Sequence, residues 1–282
     1  LILVPGGRGQ LGHDLAALST DVRAASSAEL DVTKVTAADL AGAAAVINCA
    51  AYTAVDAAET DEERAFAVNA VGPGRLAEAC ASVGIPMIQV STDYVFSGDA
   101  DRPYETTDPV GPKSAYGRTK LEGERRVLEA GGYVVRTSWV YGVNGSNFVK
   151  TMAALESSRP TLSVVDDQAG APTWSHDLAA GLLELVSVLP ETRLLHATGG
   201  GETTWFRFAQ AIFEELGADP ARVRPCTTAD FPRPAPRPAY SVLSGASWAK
   251  AGLRPLPQWR SALSAAFAAG VVAPRTGAAP LE

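Results

Sequence analysis

The sequence predicts an α/β protein built on a doubly wound parallel sheet, with a smaller C-terminal lobe interleaved with it. Three observations carry this. Short, uniformly apolar runs recur along the chain, helix-length segments separate them, and a glycine-rich turn follows the first run directly. The runs are residues 1–4, 22–25, 46–50, 87–90, 133–136, 162–165 and 194–197. Each has the length of a buried strand and lacks strict apolar–polar alternation, which suits parallel strands covered on both faces.

The helices between them have their own period. Leu11, Leu15 and Leu18 share one face. Residues 61–82 form a second helical pattern, with an acidic start at Asp61-Glu62-Glu63 that suits the positive helix end. A third covers 115–128, a fourth covers 206–216 and stops at Gly217, and a last one covers 259–269. Residues 231–238, Phe-Pro-Arg-Pro-Ala-Pro-Arg-Pro, are too proline-rich for a helix or a sheet interior. We find no repeat and no flexible linker. The expected division is a nucleotide-binding domain over 1–145 and a second lobe over most of 146–282. The strands near 161–166 and 193–198 are expected to rejoin the first sheet.

Composition narrows the function classes. The chain has 282 residues, 46% hydrophobic and 20% charged, enough for a full core. Its 24 basic and 31 acidic residues leave a net charge of −7, which argues against nucleic acid as a partner. No apolar run approaches the ~20 residues of a bilayer span. Three cysteines, Cys49, Cys80 and Cys226, have no short spacing, so neither a disulfide framework nor a zinc site is expected. Leu1 opens directly in a strand-like run without an export signal, which points to the cytoplasm. The missing initiator methionine suggests a trimmed start, and Leu281-Glu282 reads as a remnant ahead of a tag.

The first run leads into Pro5-Gly6-Gly7-Arg8-Gly9-Gln10-Leu11-Gly12. Glycines at 6, 9 and 12, placed between a strand and a helix, form a dinucleotide-binding turn of Rossmann type. They allow a tight bend, close approach of pyrophosphate to the backbone, and packing of helix on strand. The helix N-terminus then offers free N–H groups to the phosphates. Gly6, Arg8, Gly9, Gln10 and Leu11 are the candidate contacts. NAD-selective sites place an acid at the end of the second strand, whereas Ala25-Ser26-Ser27 stands there. Arg8 is placed to pair with a 2′-phosphate, and Ser26 lies beside that position. NADPH is the expected cofactor, with NADH left open.

Tyr116-Gly117-Arg118-Thr119-Lys120 sets a phenol and an ammonium on one helix face at i, i+4. A neighbouring ammonium is expected to lower the phenol pKa. The pair follows a hydroxyl-bearing strand end, Ser91-Thr92-Asp93. A dinucleotide turn, then Thr92, then Tyr116 and Lys120 make an ordered proton-transfer set. Asn69 and Pro73 are four apart in the second helix, and Pro73 has no N–H for the Asn69 carbonyl. A kink is expected there, with the freed carbonyl holding a water that relays protons towards Lys120 and Asn69 acting as a fourth catalytic member.

These residues resemble the extended short-chain dehydrogenase/reductase superfamily. Within it, Asn48-Cys49-Ala50-Ala51-Tyr52-Thr53-Ala54-Val55-Asp56-Ala57-Ala58-Glu59 is similar to a segment of the dTDP-4-dehydrorhamnose reductase family. So are the stretches at 91–96, 136–141, 147–152, 167–173 and 203–205, in order along the chain. The resemblance implies NADPH-dependent reduction of the 4-keto group of a dTDP-linked 4-keto-6-deoxyhexose. It implies that Tyr116 donates the proton, Thr92 binds the keto oxygen, and Lys120 binds the nicotinamide ribose. It also implies that Val55, Asp93, Tyr94 and Trp139 line the sugar pocket. Asp31 and Val32 are expected under the adenine, and Ala50, Ala51 and Tyr52 along the cofactor. Arg237, in an Arg-Pro dipeptide, and Asn147 are the expected diphosphate contacts. Pro5 departs from the family's usual loop. Some family members are described as metal-bridged dimers. No spaced acidic cluster obliges a metal here, so none is expected, and the chain is expected to act as a monomer or homodimer. Three rivals remain open. One is a 4-ketoreductase for another dTDP-deoxysugar. A second is an epimerase or dehydratase, although the adjacent Asp-Glu pair expected of a dehydratase is missing. The third is a non-catalytic subunit like the regulatory subunit of methionine adenosyltransferase.

Overall fold

The computed structural model describes residues 1–272; residues 273–282, among them Leu281-Glu282, lie outside the described part. The strands are β1 Ile2–Pro5, β2 Val22–Ala25, β3 Ala45–Asn48, β4 Met87–Thr92, β5 Tyr133–Thr137, β6 Val140–Tyr141, β7 Leu162–Val165, β8 Ala169–Gly170, β9 Thr173–Trp174, β10 Leu194–His196, β11 Thr203–Thr204 and β12 Val223–Cys226. The helices are α1 Gln10–Leu18, α2 Val55–Ala58, α3 Glu62–Phe66, α4 Gly72–Ser82, α5 Ala115–Glu129, α6 Phe148–Ser158, α7 Ser175–Val188, α8 Trp205–Glu215, α9 Ala246–Lys250 and α10 Trp259–Ala268.

Six strands pair in the order β10-β5-β4-β3-β1-β2, every pair parallel. Successive side chains of a strand point to opposite faces, so each apolar run feeds two cores. Val4, Ile47, Ile88, Val135 and Leu195 face one core with Leu15 of α1, Leu182 of α7 and Trp248 of α9. Leu3, Val46, Met87 and Val134 face the other with Leu76 of α4 and Val127 of α5. The chain steps from β1 outward to β2, then crosses back to β3. That reversal leaves a crevice at the C-terminal ends of β1 and β3, where doubly wound folds bind ligands.

The second lobe has its own core. Phe208 and Phe213 of α8 and Leu263 of α10 are fully buried there with Val149 of α6. Phe208 stacks on Phe148 at 5.5 Å and meets Trp259 edge-on at 5.9 Å. The strand at 162–165 corrects the expectation that it rejoins the main sheet. It pairs in parallel with β12, Leu162 opposite Val223. The free edge of β5 is already taken by β10, and Ser163 of β7 is exposed, so the strand is covered on one side only. The expectation for 193–198 agrees with the sheet, since β10 is its edge strand. The lobe boundary is also more interleaved than 146–282 implies, because α7, β10 and α9 all pack in the nucleotide-binding half.

Candidate active site

The glycine turn is shaped by three close approaches. Gly6 has φ 75°, and a Cβ there would lie 2.5 Å from the Ala50 nitrogen. Gly7, which the glycine spacing does not single out, packs on Ala24, and Gly12 packs on Gly7, each leaving 2.5 Å for a Cβ. Gly9 is the N-cap of α1 and provides no side-chain cap, so the first-turn N–H groups are free for an anion. Pro5 fits because it ends β1: its carbonyl accepts from Cys49 N–H at 3.0 Å, and the next ladder bond to Ala25 is made by Gly7. This backbone-lined cradle suits a dinucleotide pyrophosphate. Arg8 is exposed on the turn, while Leu11 turns its side chain into the core and can offer only its backbone.

The tip of β2 differs from its reading in sequence. Glu29 reaches back and accepts from both the N–H and the hydroxyl of Ser26, at 2.8 and 2.6 Å. Those bonds lower its pKa, and the charges of Arg8 and Arg23 lower it further. An acid therefore does stand at this position, beside two cations. Asp31 accepts from Thr33 and pairs with exposed Lys34, while Val32 is buried against Gly72.

Thr92 ends β4 and Tyr116 lies in the first turn of α5. Ser114 caps that helix by accepting from Gly117 N–H at 3.1 Å. A Cβ on Gly117 would fall 2.3 Å from the Tyr94 carbonyl oxygen, so glycine allows α5 to press against the turn after β4. Burial pushes Tyr116 up to about 12, offset in part by a hydrogen bond with Thr92 and reinforced by the charge of Asp93. This corrects the expected lowering by an ammonium: in this state the phenol is held protonated, the form a proton donor needs. Lys120 is buried, its Nζ donates to the Val90 carbonyl at 2.7 Å, and burial lowers its pKa to about 8.

The helix through 62–82 is broken at 67–71 by a π-turn, with Gly72 N–H bonded to the Ala67 carbonyl. The residue that uses this break is Asn69, but by its side chain. Its Oδ1 accepts from Tyr52 N–H at 2.8 Å; its Nδ2 donates to the Tyr52 carbonyl and to Thr119 Oγ1, both at 3.1 Å. The Asn69 carbonyl lies against α5, 2.0 Å from where a Cβ on Gly123 would stand. The expected kink is present as this π-turn, and the Asn69 carbonyl faces Gly123 of α5. Asn69 clamps the stretch Ala50-Ala51-Tyr52 to the helix that carries Lys120, and Ala50 N–H is held in turn by Asn48.

On the substrate side, Thr92 donates to Asp93 Oδ1 at 2.9 Å. Asp93 is buried with Oδ2 unpartnered among the described residues, as is the Ser241 hydroxyl. Burial raises Asp93 to about 6, moderated by Ser241 and Thr92. Tyr94 meets Tyr116 edge-on at 5.6 Å, and Val55 opens α2 nearby as a partly exposed residue. Trp139 has φ 46°, a left-handed conformation costing ~1–2 kcal/mol. Its ring is stacked at 3.5 Å on Trp205, with Gly170 against its edge. In the sequence, Trp205 is visible only as part of a family-like string. Arg237 pairs with Asp56 at 2.9 Å, and the same carboxylate accepts from Ala235 N–H at 3.2 Å and faces Arg233 at 4.0 Å. The proline-rich segment is thereby strapped to α2 beside Tyr94. Asn147 corrects its assignment as a diphosphate contact. It is the N-cap of α6, its Oδ1 accepts from Lys150 N–H, and its Nδ2 donates to Gln10 Oε1 and to the Gly142 carbonyl. No amide donor remains for an anion, and the contact ties the second lobe to the glycine turn.

The family model described as "RmlD substrate binding domain" matches residues 1–271. A dTDP-4-dehydrorhamnose reductase of Mycobacterium tuberculosis is 50% identical over 281 residues, covering 95% of this chain and 92% of the relative. The chain belongs to the dTDP-4-dehydrorhamnose reductase family. A solved member from Bacillus anthracis, in complex with NADP, has a TM-score of 0.90 at 34% identity and covers 95% of this chain and 98% of its own. A probable dTDP-4,6-dihydroxy-2-methyloxan-3-one 4-ketoreductase of Streptomyces antibioticus is 48% identical over 276 residues, covering 94% of each chain. Membership in the dTDP-4-dehydrorhamnose reductase family agrees with the extended α/β fold and with a cofactor cradle that suits NADPH. Among the described residues, no helix is long and apolar enough to cross a membrane.

Proposed function

We propose that the chain reduces the 4-keto group of a dTDP-linked 4-keto-6-deoxyhexose, converting dTDP-4-dehydro-L-rhamnose to dTDP-L-rhamnose with NADPH. The observation that carries this is the convergence of Thr92 and Tyr116 at the end of β4, with Lys120 one turn along α5 and the glycine cradle beside them.

Bound NADPH supplies the hydride that adds to sugar C4. Tyr116 donates its hydroxyl proton to O4, so the carbonyl becomes an alcohol and the phenolate is left on the protein. Thr92 exchanges its hydrogen bond to Asp93 for one to the keto oxygen and steadies the developing alkoxide. Lys120 holds the nicotinamide ribose. Asn69 acts beside it as the fourth member of the set, by fixing Tyr52 and Thr119. Val55, Asp93, Tyr94 and Trp139 line the sugar pocket, and Arg237 faces the diphosphate. Gly6, Arg8, Gly9, Gln10, Leu11, Ser26, Asp31, Val32, Ala50, Ala51 and Tyr52 receive the cofactor. The chain acts in the cytoplasm as a monomer or homodimer, without nucleic acid.

The test is NADPH oxidation with dTDP-4-keto-6-deoxy sugars offered before and after epimerisation. Turnover is expected with the epimerised sugar, and Tyr116→Phe is expected to lower it ~10²–10⁴-fold. Turnover confined to another deoxysugar would favour the 4-ketoreductase named for the Streptomyces antibioticus relative. Tight NADPH binding with no turnover on any of these sugars overturns the enzyme reading.

A further inference from the structure

Lys120 is an ammonium in an awkward place. It is 4% exposed, and its one hydrogen bond on the described part of the protein goes to a neutral carbonyl, that of Val90. A buried ammonium without a carboxylate partner tends to lose its proton. The nearest carboxylate on the same helix face is Glu124, one turn further along α5, and it is 1% exposed. Glu124 does not bond Lys120. Arg136 of β5 holds it in a fork, Nε to Oε1 at 2.9 Å and Nη2 to Oε2 at 2.7 Å, and Ser91 of β4 donates to Oε1 at 2.5 Å. Arg136 in turn lies 4.9 Å from the Phe96 ring centre, and its Nη1 is 3.5 Å from His196 Nε2.

The arrangement separates two effects of one carboxylate. Its charge, opposed in part by the Arg136 cation that it is paired with, acts on Lys120 through a low-dielectric interior, where field extends further than in water. Its oxygens, however, are occupied by Arg136 and Ser91, so it cannot draw the ammonium into a direct pair. Lys120 keeps its proton and keeps donors free. We infer that Glu124, held off by Arg136 and Ser91, is a positioning residue that maintains Lys120 as an available ammonium during the reaction. The inference rests on the reading of Lys120 given above.

The other groups around Lys120 do not do this. Cys49, from the segment after β3, is a buried thiol pushed up to about 12 and therefore neutral. Tyr116 on the same helix is a protonated phenol, and Tyr94 after β4 is pushed higher still by burial. Asp93 acts on Tyr116 and Tyr94. His196 of β10 is lowered to about 3 by burial and by Arg136, so it adds no charge behind the fork. Glu124 is the carboxylate whose charge raises Lys120 against the burial that lowers it.

The experiment measures two quantities on the full chain: the pH profile of kcat/KM for NADPH-dependent reduction, and the Lys120 titration by NMR at its Cε without substrate. Glu124→Gln keeps the shape and removes the charge. Its alkaline limb and its Lys120 titration are expected to move to lower pH together, by about half a unit to one unit. Glu124→Asp, which restores the charge, is expected to bring both back even if its rate is low. A lost side chain of purely structural importance would lower the rate at every pH and leave both midpoints in place; that result overturns the inference. A Lys120 titration that moves under an unmoved rate limb overturns instead the catalytic reading of Lys120. If Glu124→Gln does not fold, Ser91→Ala decides the matter: it removes a dipole that partly cancels the carboxylate's field. Both midpoints should then rise slightly, and a fall or no change overturns the inference.

Discussion

The face of the sheet that carries the site and the lobe that closes on it are held by different forces. Around the end of β4, Ser91, Asp93, Lys120, Glu124, Arg136 and His196 are all no more than 4% exposed. In the second lobe the equivalent volume is filled by Phe208, Ile212, Phe213 and Leu263, each fully buried. Aromatic and aliphatic burial is favourable at any pH and tolerant of small shifts in geometry. Buried charge is costly unless each group keeps its partners. The catalytic half therefore spends stability on holding ionisable groups in defined states, and the lobe supplies packing that does not depend on them.

That contrast can be tested from both sides. Phe208 sits where Tyr141, Phe148 and Trp259 meet. Phe208→Ala is expected to cost ~3–5 kcal/mol of stability, measured by denaturant unfolding, with nearly the same loss at pH 5 and pH 8. A loss that depends strongly on pH would break the comparison. Asp93 should behave in the opposite way. Its folded pKa of about 6 lies above its usual value of 3.8, so its contribution is intact below about pH 4 and is lost as pH rises through 6. Asp93→Asn is expected to unfold later than the parent at pH 8, by on the order of 2–3 kcal/mol, and to show little gain at pH 4. Its turnover should nonetheless fall, because the group that orients Thr92 before its hydroxyl turns to the keto oxygen is changed from a pure acceptor to an amide. The smallest effect is expected at the tip of β2. Glu29→Gln should raise the preference for NADPH over NADH by several-fold, read as the ratio of kcat/KM values, since a 2′-phosphate no longer meets a carboxylate there. An unchanged ratio would mean that Arg8 alone sets the preference.

Much of this architecture is legible in the amino-acid sequence. The strands fall within about two residues of the apolar runs, because a strand buried on both faces must be apolar along its length. The positions of Thr92, Tyr116 and Lys120 follow from a strand end and a helical spacing. Pairing and reach are harder to read. A run such as 162–165 announces a strand and not its neighbour, so its apolar character alone points β7 to the wrong sheet. Glu29 stands in a Ser-x-x-Glu spacing with Ser26 and returns to its N–H and hydroxyl as such spacings do, a signal that lies outside the strand end where an acid is sought. Asn147 resembles an anion contact because capping a helix and binding a phosphate call for similar polar groups near a helix N-terminus. The break at Asn69 is signalled by Pro73, yet its form, a π-turn that frees a side chain, depends on Gly123 across the interface. Trp205 carries no sign of its partner, since stacking on Trp139 requires the left-handed backbone at 139.

The threading of the chain through both halves has a consequence for how the protein comes into being. The nucleotide-binding sheet ends with β10 at 194–196, and its core is closed by Trp248 of α9. A ribosome delivers residues in order, and early segments commonly fold as they emerge. Here the first half cannot finish alone. Leu195 arrives only after α6 and β7 of the lobe, and Trp248 only after α8 and β12 as well, so the nascent chain must keep an unfinished sheet edge beside β5 exposed while part of the lobe is made. Cutting the gene at the lobe boundary should accordingly yield an aggregating fragment, and growth conditions that strain chaperone capacity should act on this protein through that waiting period.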